Sequence, residues 1–335
     1  MFTKFEKVGI PLDSVRRKAF NAFNLAVYQK EILLNQVNEC FCGSRDFENL
    51  STLERFGLPF GTQICKKCGL VTQKIRIDDN SMPQFYDEIY WPLVLGGKKS
   101  FNTPPKENES EPYVLRFIKD SKKNLKVFEV GCGSGNRIQN ISDHLEKKGH
   151  KVEKYGADYS KDALEVSEAK GIKTVNGGID EIQEFGKPDI LVLSHVVEHF
   201  TDLRVELKKI RELVSEETLI YVEVPGILDL ENKPEYNYDY QMYNVLAHTY
   251  NFNLQTLTNV FNSLGFELLS GDEFVRSVFV LQSDIQENFQ HKSSYEETIN
   301  SLQRAYMKRN RIIQKRSYIF INYLKSIIKS ILRKT

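Results

Sequence analysis

A glycine-rich loop in the middle of the sequence has the composition of a ligand-binding turn. Gly131, Gly133 and Gly135 alternate with small residues directly after the apolar run KVFEV. Glycines let the backbone turn sharply and approach a ligand closely, and a helix that follows such a loop offers unpaired N–H groups. Glu129 stands two residues before the first glycine, where a carboxylate would repel a phosphate. The loop therefore predicts a small polar ligand that carries a cationic group.

Further acids follow the next two apolar runs. Asp158 ends KYGAD and is placed to accept both hydroxyls of a ribose, while Tyr159 could lie against adenine. After the third run, Ile179 and Asp180 are candidates for contacts with the adenine ring and its amino group. A dinucleotide fingerprint would need a third glycine at position 136, which is Asn136. These residues favour S-adenosylmethionine over NAD.

A segment rich in histidine follows the fourth apolar run, DILVLS. His195, Glu198 and His199 stand where open α/β sheets bind ligands, at the carboxyl edge of the strands. The same letters match the H-x-x-E-H string of inverted zinc proteases, which needs both histidines on one long helix. An apolar strand immediately before His195 argues against that helix. The segment is therefore a candidate active site without a protease context.

These residues must be positioned by an alternating α/β fold. Short apolar runs alternate with helical stretches from Tyr113 onward, as in a sheet with helices on both faces. We expect strands at 126–130, 154–158, 172–176, 189–194, 218–224, 266–270 and 276–282, and helices at 136–148, 161–170, 201–215 and 253–264. Only a tight GDE turn separates the last two strands, so they should pair antiparallel at an edge.

The stretch from 113 to 285 resembles a class I S-adenosylmethionine-dependent methyltransferase domain. The matching strings are VFEVGCGSG, GADYS, DILVLSHVVEHF and YVEVPG, in that order. The resemblance implies a Rossmann-like seven-stranded sheet with an antiparallel last strand and the cofactor above the strand ends. It assigns cofactor contacts to these positions: Glu129, Gly131, Gly133, Gly135, Asp158, Tyr159, Ile179, Asp180 and Ser194.

The same resemblance places the histidines beside the methyl donor and acceptor. Imidazole titrates near neutral pH, so a histidine can remove a proton from the acceptor. His195 is the first candidate for this base, His199 the second and His248 the third, with Glu198 in a supporting role and Glu223 as a substrate contact. Some ubiquinone-pathway O-methyltransferases hold a divalent metal with Glu-x-x-Glu-His, but His195 replaces the first acid here.

Two cysteine pairs near the N-terminus have the spacing of a metal site. Cys40 and Cys42 precede Gly43, and Cys65 and Cys68 precede Gly69. Four thiolates suit tetrahedral zinc and leave no open position, which predicts a structural ion. The first pair is one residue shorter than usual, and Glu39 stands at the position that an ordinary turn would use.

The region around the cysteines resembles the N-terminal zinc-binding domain of some sugar methyltransferases, including deoxysugar C-methyltransferases. That resemblance makes Tyr86 and Tyr90 candidate substrate contacts, although core packing explains them equally well. Residues 97–112 mix glycine, tandem proline and charge, as linkers do. We therefore expect a helical segment at 1–35, a zinc-binding module at 36–96, a linker at 97–112, the methyltransferase domain at 113–285 and a basic amphipathic helical tail at 286–335.

Charge is distributed unevenly along the 335 residues. Lys and Arg number 46 against 45 Asp and Glu, but residues 301–335 hold ten basic residues and no acid. The remaining 36 basic and 45 acidic residues give residues 1–300 a charge of about −9, which disfavours a nucleic-acid acceptor. At helical spacing, the tail forms one apolar stripe: Phe320, Ile321, Leu324, Ile327, Ile328, Ile331 and Leu332. It could bind an anionic membrane, pack on the protein, pair with a second subunit or contact RNA.

The amino-acid composition indicates a globular protein. The chain is 41% hydrophobic and 27% charged, which is typical of globular proteins. No apolar run reaches the ~20 residues of a membrane span, and the N-terminus lacks the apolar core of a signal peptide. We expect a cytoplasmic enzyme, peripheral on the inner membrane face if the tail binds lipid, that methylates a sugar of a nucleotide sugar, O-antigen or capsule-type glycan. Alternatives are an RNA, protein, or small aromatic or quinone acceptor, or a non-enzymatic zinc-stapled adaptor.

Overall fold

The computed structural model of the chain describes residues 9–96, 112–118, 122–282, 284–285 and 288–331. The predicted linker at 97–112 therefore lies outside the described residues except for its last position. The end of the predicted apolar stripe, Leu332, lies outside them as well.

The N-terminal third is a helix followed by short strands and a helical turn. Its elements are α1 (Ser14–Tyr28), β1 (Leu34–Gln36), β2 (Phe47–Asn49), β3 (Thr62–Cys65), β4 (Val71–Gln73), β5 (Ile75–Ile77), α2 (Met82–Gln84), a π-helical turn (Phe85–Tyr90) and α3 (Trp91–Leu95). Asp13 starts α1 by accepting the Arg16 N–H at 2.9 Å. Ala19, Phe23 and Ala26 recur at helical spacing and are buried. They fix α1 in a core with Phe60, Phe85 and Leu93.

The larger part of the chain alternates strands and helices. Its strands are β6 (Asn124–Val130), β7 (Lys151–Asp158), β8 (Lys173–Asn176), β9 (Ile190–Ser194), β10 (Leu219–Glu223), β11 (Tyr250–Asn251), β12 (Phe266–Gly271) and β13 (Arg276–Leu281). Its helices are α4 (Asn136–Lys147), α5 (Lys161–Glu168), α6 (Ile179–Ile182), α7 (Leu203–Leu213), α8 (Tyr240–Tyr243), α9 (Leu254–Ser263), α10 (Tyr295–Gln314) and α11 (Arg316–Ile331).

Seven strands form one mixed sheet in the order β12-β13-β10-β9-β6-β7-β8. The five strands from β10 to β8 are parallel, and β13 runs antiparallel to β10 and β12. Central strands need apolar side chains on both faces, and residues 190–193 of β9 are fully buried. The α/β class, the seven strands and the antiparallel last strand are confirmed, with strand bounds shifted by one to three residues.

A second sheet joins the N-terminal third to the larger part. Its order is β11-β4-β3-β2, and β11 pairs with β4 through Tyr250 opposite Thr72 and Asn251 opposite Val71. The Gln73 side-chain amide adds a 2.7 Å hydrogen bond to the Leu246 carbonyl. This pairing, which the sequence did not indicate, holds the cysteine region and the π-helical turn against the segment that follows β10.

The tail consists of two helices rather than one continuous helix. α10 packs through Thr298, Ile299, Ser301, Leu302 and Ala305, all buried, and ends at Gln314. α11 follows after a break at Lys315, which has an extended backbone. Among the described helices, none has the length and apolarity to cross a membrane.

Candidate functional site

The glycine loop between β6 and α4 has the backbone that its sequence predicted. Gly131, Gly133 and Gly135 all have positive φ, at 68°, 51° and 71°, which other residues rarely adopt. A Cβ at Gly135 would lie 2.3 Å from Ile172, and one at Gly131 would lie 2.7 Å from Val196. A Cβ at Gly133 would meet no atom within 4 Å. Two glycines therefore serve packing, while Gly133 borders open space that a ligand can occupy.

Three carboxylates converge on this loop from neighbouring strand ends. Buried Glu129 accepts the Ile138 N–H at 3.1 Å, and Asp158 accepts the Gly133 N–H at 2.8 Å. Glu223, at the end of β10, forms a 2.7 Å ion pair with Arg137 in the first turn of α4. The carboxyl ends of parallel strands meet at one edge, which is why residues far apart in sequence come together here.

The three acids make the loop a site for a positive charge. Burial, with smaller contributions from the Asp158 and Glu223 charges, raises the pKa of Glu129 to about 8, although Arg137 acts to lower it. A cationic ligand group would favour the ionised form of Glu129, because opposite charge lowers the pKa of a carboxyl. The geometry therefore fits an ammonium or sulfonium group beside the glycine loop.

Only some of the residues predicted to contact the adenosine part of the cofactor are accessible to a ligand. Tyr159 is 80% exposed and lies beside Gly178, where its hydroxyl would be 2.9 Å from a Cβ. Asp180 forms a 2.7 Å ion pair with Lys209, and Ile179 is buried in the core beneath the loop. Ser194 is half-buried at the end of β9. Asp158 and Tyr159 stand open to a ligand, whereas the roles of the other three stay predictions.

His195 has a strained backbone and an exposed ring. Its φ is +56°, its N–H donates to the Glu223 carbonyl at 2.8 Å, and its side chain is 54% exposed. Its Nδ1 lies 3.3 Å from Oε1 of Glu198, and this hydrogen bond raises the pKa of His195. Non-glycine residues with positive φ cluster at functional sites. With Nδ1 on the carboxylate, Nε2 is left as the free ring nitrogen.

Glu198 is the centre of a buried cluster that includes the other two histidines. Its side chain is 1% exposed, and Oε2 has no hydrogen-bond partner among the described residues. The Nε2 atoms of His199 and His248 lie 3.9 and 4.0 Å from Oε1, with the two rings edge to face at 4.9 Å. Burial lowers the pKa of both histidines. His199 donates from Nδ1 to the Ala247 carbonyl at 3.0 Å, so its Nε2 carries a lone pair.

The cluster brings all three predicted base candidates to one carboxylate. His195 alone among them has an exposed side chain, so it has the best access to a substrate. Ligand atoms of Glu198, His199 and His248 lie within 4.8 Å of one another, the types and spacing of a three-ligand metal site. The sequence could not show this group, because His248 arrives from a segment beyond β10.

A pocket of about 290 Å³ opens beside His195 at the end of β10. Its lining combines six residues with polar side chains and four without: His195, Glu223, Val224, Pro225, Gly226, Lys233, Glu235, Tyr236, Phe274 and Arg276. Lys233 donates to the Gly226 carbonyl, and burial lowers the pKa of this lysine. Sequence reasoning missed Lys233 and Arg276, because lone cations in segments without a motif carry no signal of their own.

Tyr86 and Tyr90 reach the same region from the π-helical turn. Their rings pack edge to face at 5.1 Å. Burial raises the pKa of both tyrosines, and the Glu198 charge contributes to each shift. The N-terminal third therefore does approach the histidine cluster, although substrate contact by these rings stays a prediction.

The four predicted cysteines meet at one point. Sγ of Cys40 lies 3.6 Å from Sγ of Cys68, and Sγ of Cys42 lies 3.6 Å from Sγ of Cys65. Tetrahedral zinc with Zn–S bonds of about 2.3 Å requires sulfur atoms about 3.8 Å apart. Glu39 lies outside the group, on Arg45 at 2.9 Å. The donor set therefore fits zinc with four sulfur ligands.

Comparison with known proteins agrees with this geometry. Residues 107–270 match the family model described as a methyltransferase domain. Among curated proteins, no sequence matches the chain.

Several solved structures resemble the chain. A proposed O-methyltransferase from Nostoc punctiforme is 14% identical, with a TM-score of 0.40 over 81% of this chain and 69% of that one. Human N-acetylserotonin methyltransferase, solved with S-adenosylmethionine, is 14% identical, with a TM-score of 0.37 over 48% of each chain. An S-adenosylmethionine-dependent methyltransferase from Clostridium acetobutylicum is 9% identical, with a TM-score of 0.38 over 51% of this chain and 89% of that one.

Proposed function

Because residues 107–270 match the family model of a methyltransferase domain, we propose that the chain transfers the methyl group of S-adenosylmethionine to a hydroxyl or carbon of a sugar. The sugar belongs to a nucleotide sugar or to a surface glycan of the O-antigen or capsule type. One observation carries the proposal: a cradle of three acids at the glycine loop adjoins a pocket that His195 lines.

The cradle supplies the contacts that this cofactor needs. Glu129 would bind the ammonium of the methionine part, and Asp158 would exchange its hydrogen bond from Gly133 for the ribose hydroxyls. Bound there, the cofactor supplies an electrophilic methyl group. The protein's contribution is to hold the acceptor in line with that group and to exclude water from the pair.

His195 is the proposed base. Glu198 holds Nδ1, so Nε2 remains free to accept a proton from the acceptor hydroxyl or carbon acid. The buried carboxylate also stabilises the imidazolium that forms. The rings of His199 and His248 pack beside Glu198, with their Nε2 atoms 3.9 and 4.0 Å from its Oε1.

The lining of the pocket supports a sugar as the acceptor. Six of its residues have side chains that can hydrogen-bond hydroxyl groups: His195, Glu223, Lys233, Glu235, Tyr236 and Arg276. An RNA acceptor would meet a body with a charge of about −9 in residues 1–300.

The cysteine group is proposed to hold a structural zinc ion. Four thiolates complete the coordination shell, so the ion has no position for a substrate. Its role is to fix the turns around Cys40 and Cys65, from which β3 and β4 lead to the sheet shared with β11.

Methyl transfer from labelled S-adenosylmethionine to a panel of nucleotide sugars and glycans tests the proposal. His195→Ala should retain cofactor affinity and lose about 10²–10⁴ in turnover, while His144→Ala on α4, away from the pocket, should change neither. Normal turnover of the His195 variant would move the base to another residue. Failure of the native protein to bind the cofactor by calorimetry would favour the adaptor.

Measurement of the metal content shows whether the cluster of Glu198, His199 and His248 binds a metal ion or only supports His195. The proposal expects one zinc ion per chain, lost on Cys65→Ser and retained on His248→Ala. A second ion that disappears in the His248 variant would show that the cluster binds metal and would contradict the role given to His199 and His248.

A further inference from the structure

The last described helix, α11, has an apolar face that nothing in the described structure covers. Exposed fractions run from 42% to 63% at five large residues: Ile319, Phe320, Ile321, Tyr323 and Leu324. At about 100° per residue these positions, with Ile327, Ile328 and Ile331 of the sequence, fall within an arc of about 200°. Exposed apolar surface of this size marks an interaction site.

The opposite face of α11 is basic. Lys325 and Lys329 project about 40° apart on the side away from Leu324, and neither has an ion pair among the described residues. Residues 316–335 of the sequence contain Arg316, Lys325, Lys329, Arg333 and Lys334, with no acid. An occupant of this helix must therefore accept apolar side chains and offer negative charge.

In α10, unlike α11, two basic residues of the tail form ion pairs with acids elsewhere in the protein. Arg304 pairs with Glu231 at 2.6 Å, and Arg309 pairs with Asp239 at 2.7 Å. Both acids lie in the segment after β10, so these ion pairs fix α10 to that segment. Among the described residues, Lys325 and Lys329 have no such ion pair and the apolar side chains from Ile319 to Leu324 are exposed, so this part of α11 is free to contact something outside the chain.

We propose that α11 lies flat on an anionic lipid bilayer, with its apolar face in the acyl region and its lysines at the headgroups. A bilayer satisfies both faces at once, as in other interfacial amphipathic helices. Pairing two α11 helices through the apolar face would cover the apolar side chains, but it would leave Lys325 and Lys329, on the opposite face, without negative partners. The proposal places the protein at a membrane surface, and it does not depend on the acceptor of methyl transfer.

Because α10 is fixed to the segment that lines the pocket, the proposed membrane contact of α11 lies near the pocket. The segment that α10 binds includes Lys233, Glu235 and Tyr236 of the pocket lining. α11 begins at Arg316, only seven residues after Arg309. The surface that holds α11 would therefore lie near the wall of the pocket.

Cosedimentation of the full chain with lipid vesicles tests the proposal. Vesicles of phosphatidylcholine with about one third phosphatidylglycerol should bind the protein, and pure phosphatidylcholine should bind it far more weakly. Lys325→Glu with Lys329→Glu should weaken binding by at least about 25-fold, at about fivefold for each basic residue lost. Lys147→Glu with Lys208→Glu, both exposed on the body, is the control with the same net charge and should keep most of the binding.

A second pair of substitutions tests whether the apolar face of α11 contributes to membrane binding. Phe320→Asp with Leu324→Asp alters two exposed side chains, so folding should be unaffected and vesicle binding lost, while Leu25→Asp with Tyr28→Asp on α1 should retain it. Absence of binding by the native chain, or equal binding to both vesicle types, would overturn the proposal. A dimer in solution that the Phe320 and Leu324 variant separates would assign α11 to a second copy and would also overturn it.

Discussion

Glu129→Gln should strongly weaken cofactor binding while stabilising the empty protein at alkaline pH. The pKa of Glu129 is raised from 4.5 to about 8, chiefly by burial. At pH 7 a carboxyl with this pKa is about nine-tenths protonated, yet an ammonium group requires the carboxylate. Cofactor binding at pH 7 should therefore release about 0.9 proton per molecule bound.

The affinity lost in the variant follows from the same numbers. Removing one partner of a buried ion pair costs about 3–5 kcal/mol, and ionising Glu129 at pH 7 already subtracts about 1.4 kcal/mol from the native affinity. The net loss in Glu129→Gln is about 2–4 kcal/mol, or about 30- to 1000-fold in Kd. Glu146→Gln, at an exposed position of α4, is the matched control and should bind normally.

Stability without cofactor should change in the opposite direction. A folded-state pKa above the unfolded value means that stability is fully present below about 4.5 and is lost as pH rises through about 8. The shift corresponds to about 5 kcal/mol at most. Glutamine removes this loss, so the variant should unfold at a higher temperature than the native chain at pH 9.

Two measurements test the role of Glu129 in cofactor binding and in stability. Calorimetry in buffers of different ionisation enthalpy gives the proton release and Kd, and thermal unfolding between pH 5 and 9 gives the stability. Cofactor affinity within about twofold of the native value, or no proton release at pH 7 by the native chain, would refute the assignment of Glu129 to the ammonium.

Three further changes test other parts of the structure. Cys65→Ser should remove the zinc ion and lower the melting temperature, since metal binding contributes folding energy; an unchanged zinc content by atomic absorption would contradict the site. Gly135→Ala should destabilise the fold by at least about 1–3 kcal/mol in denaturant titration, because φ is +71° and the Cβ would lie 2.3 Å from Ile172; a neutral effect would contradict the local packing. Arg137→Gln removes the cation that lowers the pKa of Glu129, so proton release on cofactor binding at pH 7 should approach one; a smaller release than in the native chain would contradict this electrostatic role.

The sequence by itself determined the features that depend on neighbours along the chain. Strands and helices follow from short apolar periods, and Gly131, Gly133 and Gly135 predict the loop because positive φ is a local property of glycine. Glu129 and Asp158 stand at the ends of consecutive predicted strands. Because parallel strands end at the same edge of a sheet, the sequence predicted that both acids lie at that edge. The spacing of the cysteines likewise predicted their convergence.

Only the tertiary structure decided which of these groups are free to act. The side chain of His195 is 54% exposed and that of His199 is 25% exposed, although the two are only four positions apart, and His248 joins Glu198 from beyond β10. Tyr86 and Tyr90 approach that cluster because they pack in one core with Leu246 and Ala247, the residues just before His248. Burial, charge proximity and pKa depend on what the folded chain brings from a distance, and no local pattern contains that information.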